Sequence, residues 1–344
     1  MVQIATRSCE SQYGVDGDLF RITKGTRQGS VLSPYIFNIF IDDLLKKLSD
    51  SPCGLRLGRS KFNSLAYADD VNTFALGTRD LQTLVDICYD YSVSWRFSFG
   101  IDKTKFFISG YKRTEIDPVI FLGDVPLPVS DRIEVLGKIH TRDGKSLDHI
   151  TERISKCRQA MFSNGFKNEE LCPAVKAHLW KSIGIPSLLY SVCTGPISTG
   201  EMRMLESFQG RMVKSSLYLS KSARHSNILS SLGISSISHI INTQRLNLLR
   251  RVFSARPSSY SNLCAEIINE YCVSGRVHRD TLVGQVIDLG FSPIKVAFSR
   301  NKICLDKELS ESDGLADSIS YILKQHIRPG DENHLLLQGL TKSF

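Results

Sequence analysis

Long apolar runs are missing from this chain of 344 residues. None approaches the ~20 residues a helix needs to cross a bilayer, and Met1 is not followed by a leader pattern, so no membrane partner is expected. Paired cysteine spacings are missing too. The nine cysteines (Cys9, Cys53, Cys88, Cys157, Cys172, Cys193, Cys264, Cys272 and Cys304) share no short gap. Their closest approach to a cluster, Cys264 and Cys272 with His278, does not have zinc-ligand spacing. Neither a disulfide framework nor a metal knuckle is expected, and reduced thiols point to an intracellular setting, cytoplasmic or nuclear. No internal repeat is apparent.

What is present is ordinary in bulk and informative in detail. Hydrophobic residues make up 42% and charged residues 23%, values that argue against wholesale disorder. The length suffices for a substantial core and two or more domains. A formal net charge of +8 and a pI near 9.0 favour a polyanionic partner, although many basic proteins of this size bind nothing in particular.

Two local patterns carry chemistry. In Tyr67-Ala68-Asp69-Asp70, adjacent carboxylates lie between two apolar runs. Phe62 to Ala68 and Val71 to Leu76 read as strands, with Gly77 closing the second. A turn between them would put Asp69 and Asp70 at a hairpin tip. Magnesium suits such a place, because it takes one or two carboxylates and completes its shell with waters and phosphates. Turn chemistry alone also accounts for an Asp-Asp pair. Upstream, Lys24 to Pro34 leads into Tyr35-Ile36-Phe37-Asn38 and on to Leu45. Gly25 and Gly29 allow close approach of a ligand to the backbone. Ser33 suits an N-cap and Pro34 the first helical position. The helix that follows is apolar on most sides and is expected to be buried. A well-capped core helix would not need the polar Arg27, Gln28 and Ser30 ahead of its cap.

Together these segments resemble the reverse transcriptase domain of LINE-type (non-LTR) retrotransposons. Gly25 to Asn38 is similar to that family's motif B, and Tyr67 to Asp70 to its motif C, in the right order and separation. The resemblance implies that Asp69 is a magnesium ligand and Asp70 its less direct partner, both catalytic. It also implies that Gly25, Arg27, Gln28, Gly29, Ser30 and Tyr67 position the incoming nucleotide and template base. Trp95, Phe99 and Asp102-Lys103-Thr104-Lys105 resemble motif D, which makes Lys103 the candidate to assist the pyrophosphate leaving group. A solvated basic loop is the other reading of these residues. Gly100 stands where the family usually has asparagine. Leu122-Gly123 and Val135-Leu136-Gly137 resemble the hairpin between palm and thumb, with Leu136 and Gly137 as a primer grip. Val135 replaces the usual aromatic, keeping β propensity while losing a ring. The likeness runs on to Leu232-Gly233, over about residues 1–240.

The resemblance implies an α+β fold: a partial right-hand polymerase palm, an antiparallel sheet with buried helices, then a mostly helical thumb. Its palm covers residues 1–135, its thumb 136–250, and a helical region of unknown role 251–344. The family's motif A aspartate lies upstream of motif B and is not found, so the chain is expected to be a fragment. Asp16 and Asp18, the acids between Glu10 and Gly25, sit in an Asp-Gly turn signal. Implied partners are an RNA template, a DNA primer and deoxynucleotides, with magnesium as cofactor. The alternative is a nucleic-acid-binding remnant without catalysis.

Beyond the palm the pattern is helical. Leu147, Ile150, Ile154, Cys157 and Met161 recur at helical spacing, with Arg153, Lys156 and Arg158 on the remaining surface. Those cations suit phosphate contacts or simply a solvated face. From Pro173 to Tyr190, Gly184 and Pro186 suggest a kink or break. Arg245, Arg250 and Arg251 are expected on a helix facing nucleic acid or another subunit, and Ala255 to Ser259 reads as a linker. The stretch Asn262 to Phe344, with acids around Asp306 and Asp313, is expected to be helical.

Overall fold

Pro34 opens the first long helix. In the computed structural model, which describes residues 10–12, 19–21, 30–57, 60–110, 117–254, 259–275, 277–297 and 299, helix α1 spans Ser33–Asp50 with Pro34 in its first turn. A missing N–H costs no hydrogen bond there. Ser33 is not the cap: Leu32 holds that position, and no side chain accepts a hydrogen bond at it. Ser30 turns the chain instead. Its carbonyl accepts from the Ser33 N–H at 3.2 Å, and its Oγ accepts from the Leu32 N–H at 3.4 Å. The expected burial on most sides reduces to one stripe of Ile41, Leu44 and Leu48, while Tyr35 and Ile39 are exposed. That stripe packs against Leu84, Cys88 and Tyr91 of α2 (Thr78–Trp95).

The C-terminal end of α1 is held by two side chains from the strands that follow. Helix ends leave carbonyls without intrahelical partners. Lys61 Nζ donates to the carbonyls of Ser49 and Ser51, and Asn63 Nδ2 donates to those of Leu48 and, at 3.1 Å, Cys53. The Asn63 carbonyl in turn accepts from the Phe74 N–H at 2.8 Å. Gly54, at φ +136°, passes so near that a Cβ on it would lie 2.6 Å from the Asn63 Cβ.

Burial of Asn63 therefore breaks the expected Phe62–Ala68 strand in two. Strand β3 (Leu55–Leu57) pairs antiparallel with β4 (Ser60–Phe62). Beyond Asn63, β5 (Ser64–Tyr67) pairs with β6 (Asp70–Thr73), which ends sooner than the expected Leu76. Val71 and Ala75 tie this hairpin into the α1–α2 core. Further upstream, Glu10–Gln12 and Leu19–Arg21 form another antiparallel pair; the turn with Asp16 and Asp18 lies outside the described residues.

Helix α2 ends with Arg96 in the left-handed region at φ 56°, its cap closed by the Phe97 N–H on the Ser92 carbonyl at 3.0 Å. There the rings of Phe40, Tyr91, Trp95 and Phe97 cluster, Phe40 meeting Trp95 edge-on at 5.3 Å. A short hairpin of Phe121–Leu122 and Val125–Pro126 is fastened to α2 by Gln82, whose amide bonds both the carbonyl and the N–H of Phe121 at 2.8 and 2.9 Å. The Tyr89 ring lies against Gly123, where a Cβ would approach within 2.5 Å.

The chain divides into two compact units: residues 1–106 with 116–129, and residues 107–115 with 130–344. Mixed helices and small antiparallel sheets make it an α+β protein. In the second unit a hairpin of Arg132–Val135 and Lys138–Thr141 precedes α3 (Leu147–Ser163). The expected interruption after Pro173 is a single π-helical turn, Trp180–Gly184, between α4 (Pro173–Leu179) and α5 (Ile185–Leu189). Gly184 is required there, because a Cβ would sit 2.5 Å from the buried Trp180 ring. Helix α6 (Thr199–Ser216) begins with a reciprocal Ser198–Glu201 capping box. After α7 (His225–Ser231), helix α8 (Ile237–Ser254) joins two cores. Its Ile237 and Ile241 pack with Trp180 and Phe208, and its Leu246, Leu249 and Phe253 with Cys264 and Val283. Helices Ser259–Ser274, Leu282–Asp288 and Pro293–Ala297 complete the described chain. Residues 255–258, in the expected linker, and 300–344, with Asp306 and Asp313, lie outside it.

Asn63→Ala removes the amide that bonds the Leu48 and Cys53 carbonyls, of which that of Leu48 keeps the Ser51 N–H at 3.2 Å. It should lower stability by about 1–3 kcal/mol, read as a fall in the urea midpoint. An unchanged midpoint would show that this junction does not hold the first unit together.

Candidate functional site

The β5–β6 hairpin places the two carboxylates by register. Tyr67 pairs with Asp70, so Ala68 and Asp69 form a two-residue turn. Ala66 and Val71 share the inward face, and Tyr67 and Asp70 share the outward one, since cross-strand partners lie on the same side of a sheet. Tyr67 is 66% exposed, and Asp69 and Asp70 are exposed as well. Among the described residues neither carboxylate has a hydrogen-bond or ion-pair partner. Ala68 adopts φ 51°, a conformation that favours glycine and costs an L-residue about 1–2 kcal/mol. The tip thus presents two unpaired acids on a strained turn.

Ser30 lies just before α1, half-buried. Gly25, Arg27, Gln28 and Gly29 lie outside the described residues. Lys103 is exposed in a single 3-10 turn, Ile101–Lys103, closed by the Thr104 N–H on the Gly100 carbonyl at 3.0 Å. No hydrogen bond or ion pair joins Lys103 to the Asp69–Asp70 tip among the described residues. Gly100 is not demanded by space, since a Cβ there would meet nothing nearer than Lys103 at 4.0 Å.

Leu136 and Gly137 form the tip of the other hairpin, in the second unit. Val135 pairs with Lys138, and the two turn residues have φ 50° and 78°. Successive positive φ values define the tight turn that usually takes Asn-Gly or Asp-Gly. Leucine is the wrong shape for it, at about 1–2 kcal/mol, and its side chain is 40% exposed. The Tyr190 Oη donates to the Leu136 carbonyl at 2.8 Å. His149, 2% exposed, lies 2.9 Å from the Tyr190 carbonyl through Nε2, and its Nδ1 accepts from the Ile139 N–H at 3.3 Å. The tautomer follows: Nδ1 is bare, and Nε2 carries the proton and donates it. Burial, with Arg153 and Lys138 nearby, pushes the His149 pKa below the ordinary 6.5.

The basic helix faces are only partly available. Lys156 pairs with Glu152 on α3, while Arg153 lies over the Tyr190 ring at 5.4 Å and Arg158 over that of Phe208 at 5.8 Å. Arg245 departs from expectation: it turns inward on α8, is buried, and donates to the carbonyls of Cys193 and Gly195 at 3.5 and 3.1 Å. Leucine spacing placed that helix but not the side its arginine faces. Cys88 and Cys157 are free and buried, their thiols pushed up to about 12 by desolvation. Among the described residues no three acids, histidines or cysteines gather as a metal cluster, and no helix is long and apolar enough to cross a membrane.

Comparison with known proteins covers both hairpin tips. Residues 4–139 match the family model described as reverse transcriptase (RNA-dependent DNA polymerase). Over 200 residues the chain is 28% identical to the Retrovirus-related Pol polyprotein from type-2 retrotransposable element R2DM of Drosophila melanogaster, covering 55% of this chain and 18% of that protein. Over 209 residues it is 27% identical to the Pol polyprotein from type-1 retrotransposable element R2 of Popillia japonica, covering 58% and 28%. Residues 4–139 are thus similar to a reverse transcriptase domain, and both relatives are Pol polyproteins of retrotransposable elements. The matches span less than a third of either relative.

Sequence reasoning passed over Asn63 and His149. The one hint for Asn63 was a polar residue inside an apolar strand pattern, and for His149 a histidine on the apolar side of the α3 repeat.

Because His149 is harder to protonate folded than unfolded, its contribution to stability is complete above pH 6.5 and is lost as pH falls through the lowered folded value. Urea midpoints at several pH values between 5 and 8 should rise with pH, and His149→Gln should flatten part of that slope. An unaltered slope in the variant would remove His149 as its source. Gly100→Asn, which restores the usual family residue, should shift stability by no more than about 0.5 kcal/mol in thermal unfolding.

Proposed function

We propose that this chain belongs to the polymerase portion of a non-LTR retrotransposon reverse transcriptase and contributes to DNA synthesis on an RNA template. The observation that carries this reading is the exposed Asp69–Asp70 pair on the strained Ala68 turn, without a partner among the described residues. Unpaired acids at an exposed tip fit magnesium, which accepts one or two carboxylates and leaves the rest of its shell to water and phosphate. Reverse transcriptases generally use divalent metal ions. Asp69 would be the direct ligand and Asp70 the less direct one, and the bound ion would offset negative charge developing on the reacting phosphate.

The remaining roles follow the same reading. Attack by the primer 3′ hydroxyl on the α-phosphate of a deoxynucleotide joins the new nucleotide and releases pyrophosphate. Lys103, exposed on its 3-10 turn, supplies a proton or positive charge to that leaving group. Ser30 and Tyr67, with Gly25, Arg27, Gln28 and Gly29, position the nucleotide and template base. Leu136 and Gly137 grip the primer end. Residues 1–135 serve as palm and 136–250 as thumb, whose lysines and arginines meet backbone phosphates without reading sequence, while 251–344 form a C-terminal helical region. The working compartment is cytoplasmic or nuclear, where RNA and deoxynucleotides meet.

Primer extension on an RNA template with magnesium tests the proposal. Incorporation should fall at least about 100-fold with Asp69→Ala, and by about 10²-fold or more with Lys103→Ala. Incorporation unaffected by Asp69→Ala would overturn the assignment of the metal site. No incorporation by the unmodified chain, with salt-sensitive primer–template binding retained, would leave a nucleic-acid-binding module without catalysis.

A further inference from the structure

Three hydrogen bonds close a ring around the second hairpin tip. Ile139 on one strand donates to His149 Nδ1, His149 Nε2 donates to the Tyr190 carbonyl, and Tyr190 Oη donates to the Leu136 carbonyl. The ring therefore begins and ends on the hairpin itself, passing through α3 and the end of α5. Tyr190 also meets the turn by shape, since a Cβ on Gly137 would come within 3.1 Å of its ring. The next residue, Ser191, adopts φ 60°. Two non-glycine residues in the left-handed region, Leu136 and Ser191, thus flank one clamp.

Such conformations persist where the surroundings over-determine them, and they collect at sites where geometry matters to a ligand. Asparagine would close the same turn more comfortably. Leu136 instead leaves an apolar residue 40% exposed at the tip. We propose that His149 and Tyr190 are a positioning pair that fixes the Leu136–Gly137 turn, so that the Leu136 side chain packs against the apolar sugar and base faces at the end of a primer strand. This rests on the primer-grip reading above and adds to it the residues that set the grip's position.

The chemistry around His149 suits this role. Lys138 and His140 face it from the hairpin, and Glu152 and Arg153 from its own helix α3. The cations outnumber the single acid, which keeps the imidazole neutral and able to accept and donate at once. Arg153, stacked on the Tyr190 ring, limits the ring's movement from the other side. Lys138 Nζ donates to Thr194 Oγ1 at 2.9 Å, placing a positive charge one residue from the tip.

The test uses the full chain and a DNA primer annealed to an RNA template with a recessed 3′ end. Binding is compared with the template alone, and stability is measured alongside. Tyr190→Phe removes only the hydroxyl, and Leu136→Asn removes the apolar side chain while giving the turn a residue it accepts. Tyr190→Phe should weaken binding of the recessed primer end about tenfold, with little change in affinity for template alone and a thermal midpoint within a few degrees of the original. Leu136→Asn should raise the midpoint yet weaken the recessed end by a similar factor. Binding that stays at the original level in both variants, or falls equally for template alone, overturns the inference while leaving the polymerase reading in place. Failure of the unmodified chain to bind primer–template overturns both.

Discussion

The buried amide of Asn63 is the interaction on which the first unit depends. One side chain joins the end of a helix, the loop that follows it and the strand leading to the carboxylate hairpin. Because its partners are the Leu48 carbonyl in the last turn of the helix and the Cys53 carbonyl in the loop, the bonds fix position as well as contributing energy. Lys61 repeats the device on neighbouring carbonyls. The consequence is geometric: the exposed tip with Asp69 and Asp70 is referred to α1, whose start follows the polar segment at Ser30. Two motifs separated in sequence thereby share one rigid support.

A second theme is where backbone strain is placed. Ala68 and Leu136 both occupy two-residue hairpin turns at positive φ, and both stand at tips to which a role in nucleotide chemistry is proposed. Glycine or asparagine would relieve either turn. The means of holding each differ. The first hairpin is anchored through Val71, Ala75 and Asn63 at its base, whereas the second is clamped at its tip by Tyr190. A tip clamp fixes the turn backbone directly, and a base anchor leaves Asp69 and Asp70 exposed at the tip.

Charge divides between surface and interior in a way that composition does not disclose. The net charge of +8 suits a polyanion, yet several cations are already engaged. Lys176 is buried and donates to the Ser216 carbonyl at 2.6 Å, Arg245 is buried against carbonyls, and Arg153 and Arg158 lie over rings. Those residues act as helix caps and packing elements first.

The helices at 33–50 and 147–163, the hairpin between Tyr67 and Asp70, and the likeness to reverse transcriptases were legible from residue order alone, because spacing and turn chemistry are local. The break at Asn63, the single buried stripe of α1, the inward Arg245 and the π-turn at Trp180 were not. Each depends on what packs opposite: an unpaired helix end waiting for an amide, a neighbouring helix on one side, carbonyls at Cys193 and Gly195, a ring that leaves no room for a Cβ at Gly184. Sequence by itself determined which groups could do chemistry and roughly where each element begins. Tertiary structure decided how those groups are engaged, since only packing reveals that Asp69 and Asp70 are exposed and, among the described residues, without a partner, while His149 has two.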